Sequence, residues 1–514
     1  MVGSIAVALV LGFMAFGATA GAGAATKKQK VDTAAVLKFG APIEANGGPW
    51  FDPHAPQASA QNPTPRLWID LIYDTMIHNT PDGKGEPGLA TKWTTPDPST
   101  VELTLRQGVK FSDGTPFNAA AVKAAWDKLP ATRPNLTANL KEITSIEAVG
   151  DNVIRIHLAK PIAQTIINDE LNNSNFFAVP SPTAEAAGNL ETKPVGAGPY
   201  LLKSYSTGHV VLEKNPNFYD PSQQKLAGVE FIDVATGAPS VSALQAGTVD
   251  LIWSLPPDSI QTLKSAGFDV TANPGNAAYT INTCPATGKI FASKQARQAL
   301  QYAVNRKDIA AAALAGTAIP VETQLTPANP NYDKKLDSTY KFDPAKAKAL
   351  LKQAGVAPGT TVTAEVPSQP PYSAIAEILQ SNFKDVGLNL QITTTTNFAA
   401  DAIAKMADIT TVGVQPSLMN LAYTGNPTSA LNICGWDDPV IRDALTTTSD
   451  ASQSPAQIKA AWETLQKQML DQSWNISLTD TPTTAASTKN VKGVDVINTP
   501  YGPQLGRVYK VTNG

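Results

Sequence analysis

Metal chemistry finds little to work with in this chain. It has two cysteines, Cys284 and Cys434, and four histidines, His54, His78, His157 and His209, scattered over 514 residues. No Cys-x-x-Cys occurs, and no two histidines stand four apart, the spacing that sets two imidazoles on one helical face, so no metal centre is expected. Each histidine reads as a surface or turn residue. Charge of one sign is also missing. Forty Lys and Arg against 43 Asp and Glu leave a formal net charge of −3, and no basic run follows the short cluster Lys27-Lys28-Gln29-Lys30. That balance argues against a nucleic-acid binder. There is no Gly-x-Ser-x-Gly elbow and no Gly-rich loop ending in Lys-Ser or Lys-Thr. The nearest approach, Gly196-Ala197-Gly198-Pro199, contains a proline, which removes a backbone donor that a phosphate cradle would use. It reads as a turn between lobes. No carboxylate pair stands out as an acid/base couple, so no catalytic residue and no cofactor is called for.

The first 25 residues carry no charge. Ile5 to Phe16 is apolar but too short for a bilayer, which needs ~20 residues. Ala22-Gly23-Ala24 then has the small-x-small form of a signal-peptidase site, so residues 1–25 read as a secretory signal cleaved near Ala24 or Ala25. The usual leading positive charge is missing, since no Lys or Arg precedes Lys27, and a retained membrane anchor is the alternative. No cysteine lies near the cleavage site to take a lipid. In an exported chain, two cysteines are most simply one disulfide. A Cys284–Cys434 bridge would contribute at most about 5 kcal/mol in the chain-entropy model. Two separate buried thiols are the alternative.

What is present is ample core. Hydrophobic residues make up 42% and charged residues 16%, and the length calls for two or three lobes. Ala35 to Ala41 reads as a first strand, followed by a turn-rich loop through Trp50. Val101, Leu103 and Leu105 alternate with Glu102, Thr104 and Arg106 as in a half-buried strand. Asn118 is placed to cap a helix bearing Val122, Trp126 and Leu129, and a second alternating strand follows at Val153 to Leu158. These make a small α+β lobe from about 69 to 192. From Gly228 to Pro274 the rhythm is strand, helix, strand, helix, strand, which predicts parallel pairing with right-handed crossovers. A similar α/β unit recurs from Thr361 to Ile392. Three further helices are punctuated at Ser293 (running to about Ala315), at Asp343-Pro344 and at Ser454-Pro455.

Several longer motifs arrive in order. Pro87-Gly88-Leu89-Ala90-Thr91-Lys92-Trp93 leads into the Val101 to Gly108 strand, then Val109-Lys110-Phe111-Ser112-Asp113-Gly114-Thr115-Pro116-Phe117. Later come Val195-Gly196-Ala197-Gly198-Pro199-Tyr200, Asn215 to Tyr219, Ala296-Arg297-Gln298-Ala299-Leu300 with Asn305-Arg306-Lys307, and Phe342-Asp343-Pro344-Ala345-Lys346-Ala347 through Gly355. Together they resemble the signature of the family 5 extracellular solute-binding proteins, the peptide- and nickel-type binding subunits of ABC importers. The resemblance spans roughly residues 38 to 510.

It implies an α/β fold, two-lobed and like a periplasmic binding protein (class II, cluster C type), with an additional small α+β lobe. Lobe I would comprise 36–68, 193–277 and 476–514, lobe II 69–192 and lobe III 278–475, with hinges near 277 and 476. The partners implied are a small-molecule or peptide ligand and the permease subunits of the importer, for a chain acting as a monomer at the cell envelope or outside it. A homologue that has lost uptake, a secreted hydrolase and a nickel carrier are the other readings. Ligands of such folds lie beyond the carboxyl ends of parallel strands, at the seam between lobes. The candidate ligand-binding residues are therefore Trp253, Tyr279, Asn282, Gln415, Asn420, Trp436 and Trp50. Peptide binders of this family often carry Gly-Trp followed by Asp in the lobe III loop. Here the comparable stretch, Val412-Gly413-Val414-Gln415-Pro416-Ser417, has neither, which leaves small organic acids, opines or oligosaccharides open beside peptides.

Overall fold

The computed structural model describes residues 29–44, 48–55, 64–80, 84–129, 140–171, 177–275, 277–284, 289–368, 370–395, 407–413, 432, 435–494 and 505–512. The candidates Gln415, Asn420 and Cys434 and the signal segment lie outside the described residues. The chain opens with β1 (Val36–Ala41) and α1 (Arg66–Tyr73), then β2 (Ile77–Asn79), β3 (Gly85–Pro87), β4 (Ala90–Asp97), β5 (Thr100–Leu105), α2 (Ala119–Trp126), β6 (Ile143–Val149) and β7 (Val153–Leu158). It continues with β8 (Tyr200–Ser206), β9 (His209–Lys214), β10 (Gly228–Asp233), α3 (Ala238–Gln245), β11 (Leu251–Trp253), α4 (Ser259–Ser265) and β12 (Asp269–Asn273). The last third holds β13 (Ala278–Thr283), α5 (Lys294–Ala303), α6 (Pro344–Gln353), β14 (Thr360–Pro367), α7 (Tyr372–Asp385), β15 (Leu388–Thr395) and β16 (Ile409–Gly413). It closes with α8 (Pro439–Ser449), α9 (Pro455–Gln472), β17 (Asn475–Asp480) and β18 (Thr483–Ser487).

Three sheets carry the architecture. A seven-stranded sheet runs β12-β18-β11-β1-β10-β9-β8, a five-stranded sheet β15-β14-β16-β13-β17, and a four-stranded antiparallel sheet β4-β5-β7-β6. Each buries its own core. Leu37, Phe39, Trp68 and Phe231 fill the first, Val362, Phe383 and Leu478 the second, and Leu103, Trp126 and Ile156 the third.

The expected parallel pairing needs a correction. β10, β11 and β12 point the same way but do not bond to one another. β1 inserts between β10 and β11, parallel to both, and β18 inserts antiparallel between β11 and β12. The missing partners come from the two ends of the chain, which local rhythm cannot reveal. Two lobe limits also differ from expectation. α1 lies wholly in the core of the seven-stranded sheet, so a break near 69 would cut a helix. β17 bonds to β13 in the five-stranded sheet, so the second connection between sheets is Thr481-Pro482 rather than residue 476. The helix expected from Ser293 to Ala315 also breaks, at Val304, whose ψ of 122° is extended. Asn305 then caps a new turn by accepting from the Asp308 amide.

The motifs turn out to be joinery. The Asp113 carboxylate accepts from the Thr115 amide (2.9 Å), the Thr115 hydroxyl (2.6 Å) and the Ser181 hydroxyl (2.6 Å). The Ser112 amide donates to the Gly196 carbonyl, and Asn217 Nδ2 donates back to the Ser112 carbonyl. Asn215 Nδ2 donates to the Gly198 carbonyl. A Cβ at Gly196 would stand 2.2 Å from the Ile72 carbonyl oxygen, and one at Gly198 2.4 Å from that of Leu71. Both positions therefore require glycine, because α1 lies against the backbone there. In the five-stranded unit, buried Arg306 donates to the carbonyls of Gln301, Val321 and Ser477, and Arg297 to those of Phe291, Ala292 and Gln472.

His54 lies in a turn, one of the two places expected for it, but is buried rather than at the surface. It is 5% exposed, with Nε2 3.1 Å from the Ala178 carbonyl. At the end of α1, Asp74 accepts from the Tyr219 hydroxyl (2.9 Å) and lies 2.5 Å from His78 Nε2. Burial works against a charged His78, but Asp74 and then Asp70 outweigh it and hold the pKa above the usual imidazole range. A raised folded pKa means that this pair's stabilisation is complete below about pH 6.5 and is lost as pH rises through the folded value. Urea unfolding of wild type should therefore lose stability on that rise, and His78→Gln should flatten the dependence there. Equal pH profiles for the two would remove this role.

Candidate functional site

Two short connections join the seven-stranded and five-stranded sheets. Residues 274–277 link β12 to β13, and Thr481-Pro482 links β17 to β18. Because β12 pairs with β18 and β13 with β17, both antiparallel, the connections run side by side as a two-stranded crossover. The register shows what faces this seam. Trp253, the last residue of β11, pairs with Ala485, the middle residue of β18, two places from its crossover end. Tyr279, second in β13, pairs with Gly413, the last residue of β16, and with Thr479. β14 and β15 run parallel to β16. The carboxyl ends of the parallel strands of both sheets thus point to the crossover, the position where open α/β sheets hold ligands.

Of the sequence candidates, Trp253 and Tyr279 stand at the seam, from opposite sheets. Trp253 is 9% exposed, and its indole Nε1 has no hydrogen-bond partner among the described residues. The next residue, Ser254, is exposed and in the left-handed region at φ 55°. Its amide bonds to the Thr484 carbonyl, and the Leu255 amide to the Thr484 hydroxyl, so the chain turns sharply just after the tryptophan. Tyr279 is half-buried and meets Tyr372, the first residue of α7, edge to face at 5.6 Å between centroids. Burial, then Tyr372 and Asp480, raise the Tyr279 pKa, so its hydroxyl stays a neutral donor. Trp50 is half-buried against the core of the seven-stranded sheet at φ 49°.

The remaining two are engaged elsewhere. Asn282 Oδ1 accepts from the Thr280 hydroxyl (3.2 Å) and from Asn475 Nδ2 (2.5 Å), deeper in the five-stranded sheet. Trp436 is 3% exposed and stacks on Trp474 at 5.9 Å, in a cluster with Cys284, Trp462 and Leu465. That is a core between the sheet and helices α8 and α9.

Residues that the sequence reading passed over hold the crossover. Asp480, fully buried at 0% exposure, accepts from the amides of Gly275 (3.0 Å) and Ile319 (2.6 Å). The Thr326 hydroxyl donates to the Gly275 carbonyl at 2.7 Å. A Cβ on Gly275 would stand 1.6 Å from the Thr481 carbonyl oxygen, so the two connections touch backbone to backbone. Burial pushes the Asp480 pKa up to about 6, against the pull of the two amides. The available signals were Pro274-Gly275 and Asp480-Thr481-Pro482, turn sequences interrupting two strand patterns.

With this geometry in view, likeness to known proteins becomes informative. Residues 84–429 match the model of the bacterial extracellular solute-binding proteins, family 5 Middle. The chain is 30% identical over 345 residues to the glutathione-binding protein GsiB of Escherichia coli (strain K12), covering 66% of this chain. The match spans 65% of that relative's own length. In structure it resembles NikA from Brucella suis, crystallised with Fe(III)-EDTA, at a TM-score of 0.80 and 22% identity over 92% of this chain and 99% of that one. An ABC transporter substrate-binding protein from Sinorhizobium meliloti gives a TM-score of 0.76 at 25% identity, over 93% and 100% of the two chains. The chain belongs to the family 5 extracellular solute-binding proteins and has their two-lobed periplasmic-binding-protein fold. Members of this family are substrate-binding transport proteins rather than enzymes. Among the described residues, no helix is long and apolar enough to cross a membrane.

The placements separate scaffold from seam. Trp436→Ala should cost about 3–5 kcal/mol, as large-to-small changes in a packed core do. Half-buried Tyr279→Ala should cost less than half of that. Urea titrations of the two variants check the order, and a reversed order would put Trp436 outside the core.

Proposed function

We propose that this chain is the extracytoplasmic binding subunit of an ABC importer, taking a peptide or another small polar organic solute and delivering it to membrane permease subunits. The observation that carries the reading is the paired crossover, which joins two α/β sheets by two adjacent connections and turns the carboxyl ends of both toward one seam. Such a joint lets two rigid halves rotate with little change elsewhere, and closure then follows from whatever a solute gains by touching both. In this reading Trp253, packed in the core of the seven-stranded sheet, offers its unpartnered indole N–H from one lobe. Tyr279 and Tyr372 offer ring edges and a neutral hydroxyl from the other. Gln415 and Asn420, just beyond β16, would add directional amides.

The lobes in this reading are the seven-stranded unit, the inserted four-stranded unit and the five-stranded unit, with hinges at 274–277 and 481–482. The protein acts as a binder and not as a catalyst, exported by its first 25 residues and associating with the membrane through its permease. Family membership supports this reading. So does the structural use of the Asp113, Ser181 and Thr115 cluster, whose polar atoms bond to one another.

Native mass spectrometry of the mature protein purified from its own host should show a retained small solute. Calorimetry with glutathione, di- and tripeptides and small organic acids should find one that binds, with scattering showing compaction on binding. No retained mass and no binding across that panel would end the importer reading.

We also propose that Cys284 and Cys434 are bridged. Cys284 is 2% exposed and shares its cluster with Trp436, two residues beyond Cys434. Alkylation of the unreduced, unfolded protein should label no thiol, and two labelled thiols would refute the bridge.

A further inference from the structure

The crossover contains an acid with no cation to balance it among the described residues around it. Asp480 ends β17 in the five-stranded sheet, yet its carboxylate reaches across to the other connection, at the Gly275 amide, and to residues 317–326, at the Ile319 amide. The same three segments are bound by backbone as well. The Asp480 amide donates to the Ile319 carbonyl, the Thr481 amide to the Ala277 carbonyl, and the Thr326 hydroxyl to the Gly275 carbonyl. Apart from the Thr326 hydroxyl, each of these bonds is made by Asp480 or by its immediate neighbour Thr481.

We propose that the Asp480 carboxylate is the pin of the crossover: it positions the two lobes, and its proton occupancy sets how readily the hinge opens. This rests on the clamp reading given above. The titratable groups around it are few. β13 presents Tyr279, a neutral phenol. Residues 317–326 carry Glu322, whose carboxylate accepts from the Tyr340 amide instead. The 274–277 and 481–482 connections contribute none among their described residues.

Removing a charged carboxylate from water is unfavourable, and two amide bonds compensate only in part. The folded pKa of about 6 records that imbalance. When the crossover opens and water reaches Asp480, the pKa returns toward the ordinary value of about 3.9. Opening therefore releases a proton, so the opening constant should rise about tenfold per pH unit between roughly pH 4 and 6, for a total near 100-fold. Below that range the acid is neutral in both states and the joint is at its stiffest. Above it, the carboxylate is charged in both, and the joint opens most readily.

Hydrogen exchange read by mass spectrometry, on peptides covering 272–280 and 316–323 and corrected for intrinsic chemistry, measures this directly. In wild type, protection of the Gly275 and Ile319 amides should fall as pH rises from 4 to 6 and then level off. Asp480→Asn, of equal size but unable to titrate, should lose the slope. Thr326→Val should weaken protection at every pH yet keep the slope, which preserves the test if Asp480→Asn does not fold. A flat wild-type profile, or a slope that persists in Asp480→Asn, would overturn the pin. Scattering of wild type with and without the retained solute, in the same buffers, tests the clamp independently. Pinned amides without compaction would sink the clamp reading and leave the pin standing.

Discussion

One constraint organises the molecule: two connections cross between two sheets at a distance that leaves no room for a side chain. Gly275 and Thr481 touch backbone to backbone, and Asp480 fastens both to a third segment. The connections lie side by side, and a further backbone bond, from the Ala451 amide to the Pro161 carbonyl, links the segment between α8 and α9 to the four-stranded unit. Each sheet keeps its own buried core. The seam they border is where the seven-stranded sheet presents Trp253 and the five-stranded sheet presents Tyr279.

The recognisable motifs serve a different purpose from the seam. Asp113, Ser181, Asn215, Asn217 and the two glycines of residues 196–198 join the four-stranded unit to the seven-stranded one, over α1. Arg297 and Arg306 gather loose carbonyls inside the five-stranded unit. Buried backbone oxygens must find donors, and a guanidinium supplies several from one side chain. Such residues identify the fold and leave the choice of solute to others.

Legibility in the sequence followed the range of the forces involved. Alternation found β5 and β7, and the caps at Asn118, Asp343 and Ser454 fell where the helices begin. The Trp253 and Tyr279 candidates came from a general rule about strand ends, and in the structure Trp253 ends β11 and Tyr279 is second in β13. The same rule selected Trp436, which aromatic stacking on Trp474 holds in a core. It passed over Asp480 and Tyr372, since nothing within a few residues of either tells that a partner lies some 200 or 90 positions away.

By itself, the sequence determined the local elements, their turns and the family, because periodicity, capping and motif spacing act over a few residues at a time. Tertiary structure alone decided that β1 and β18 would slide between strands the chain rhythm had set side by side. It also decided that α1 belongs whole to one core, and that an aspartate at a strand end would close the joint. Those outcomes depend on segments hundreds of residues apart competing for the same hydrogen bonds, and no local pattern records which of them wins.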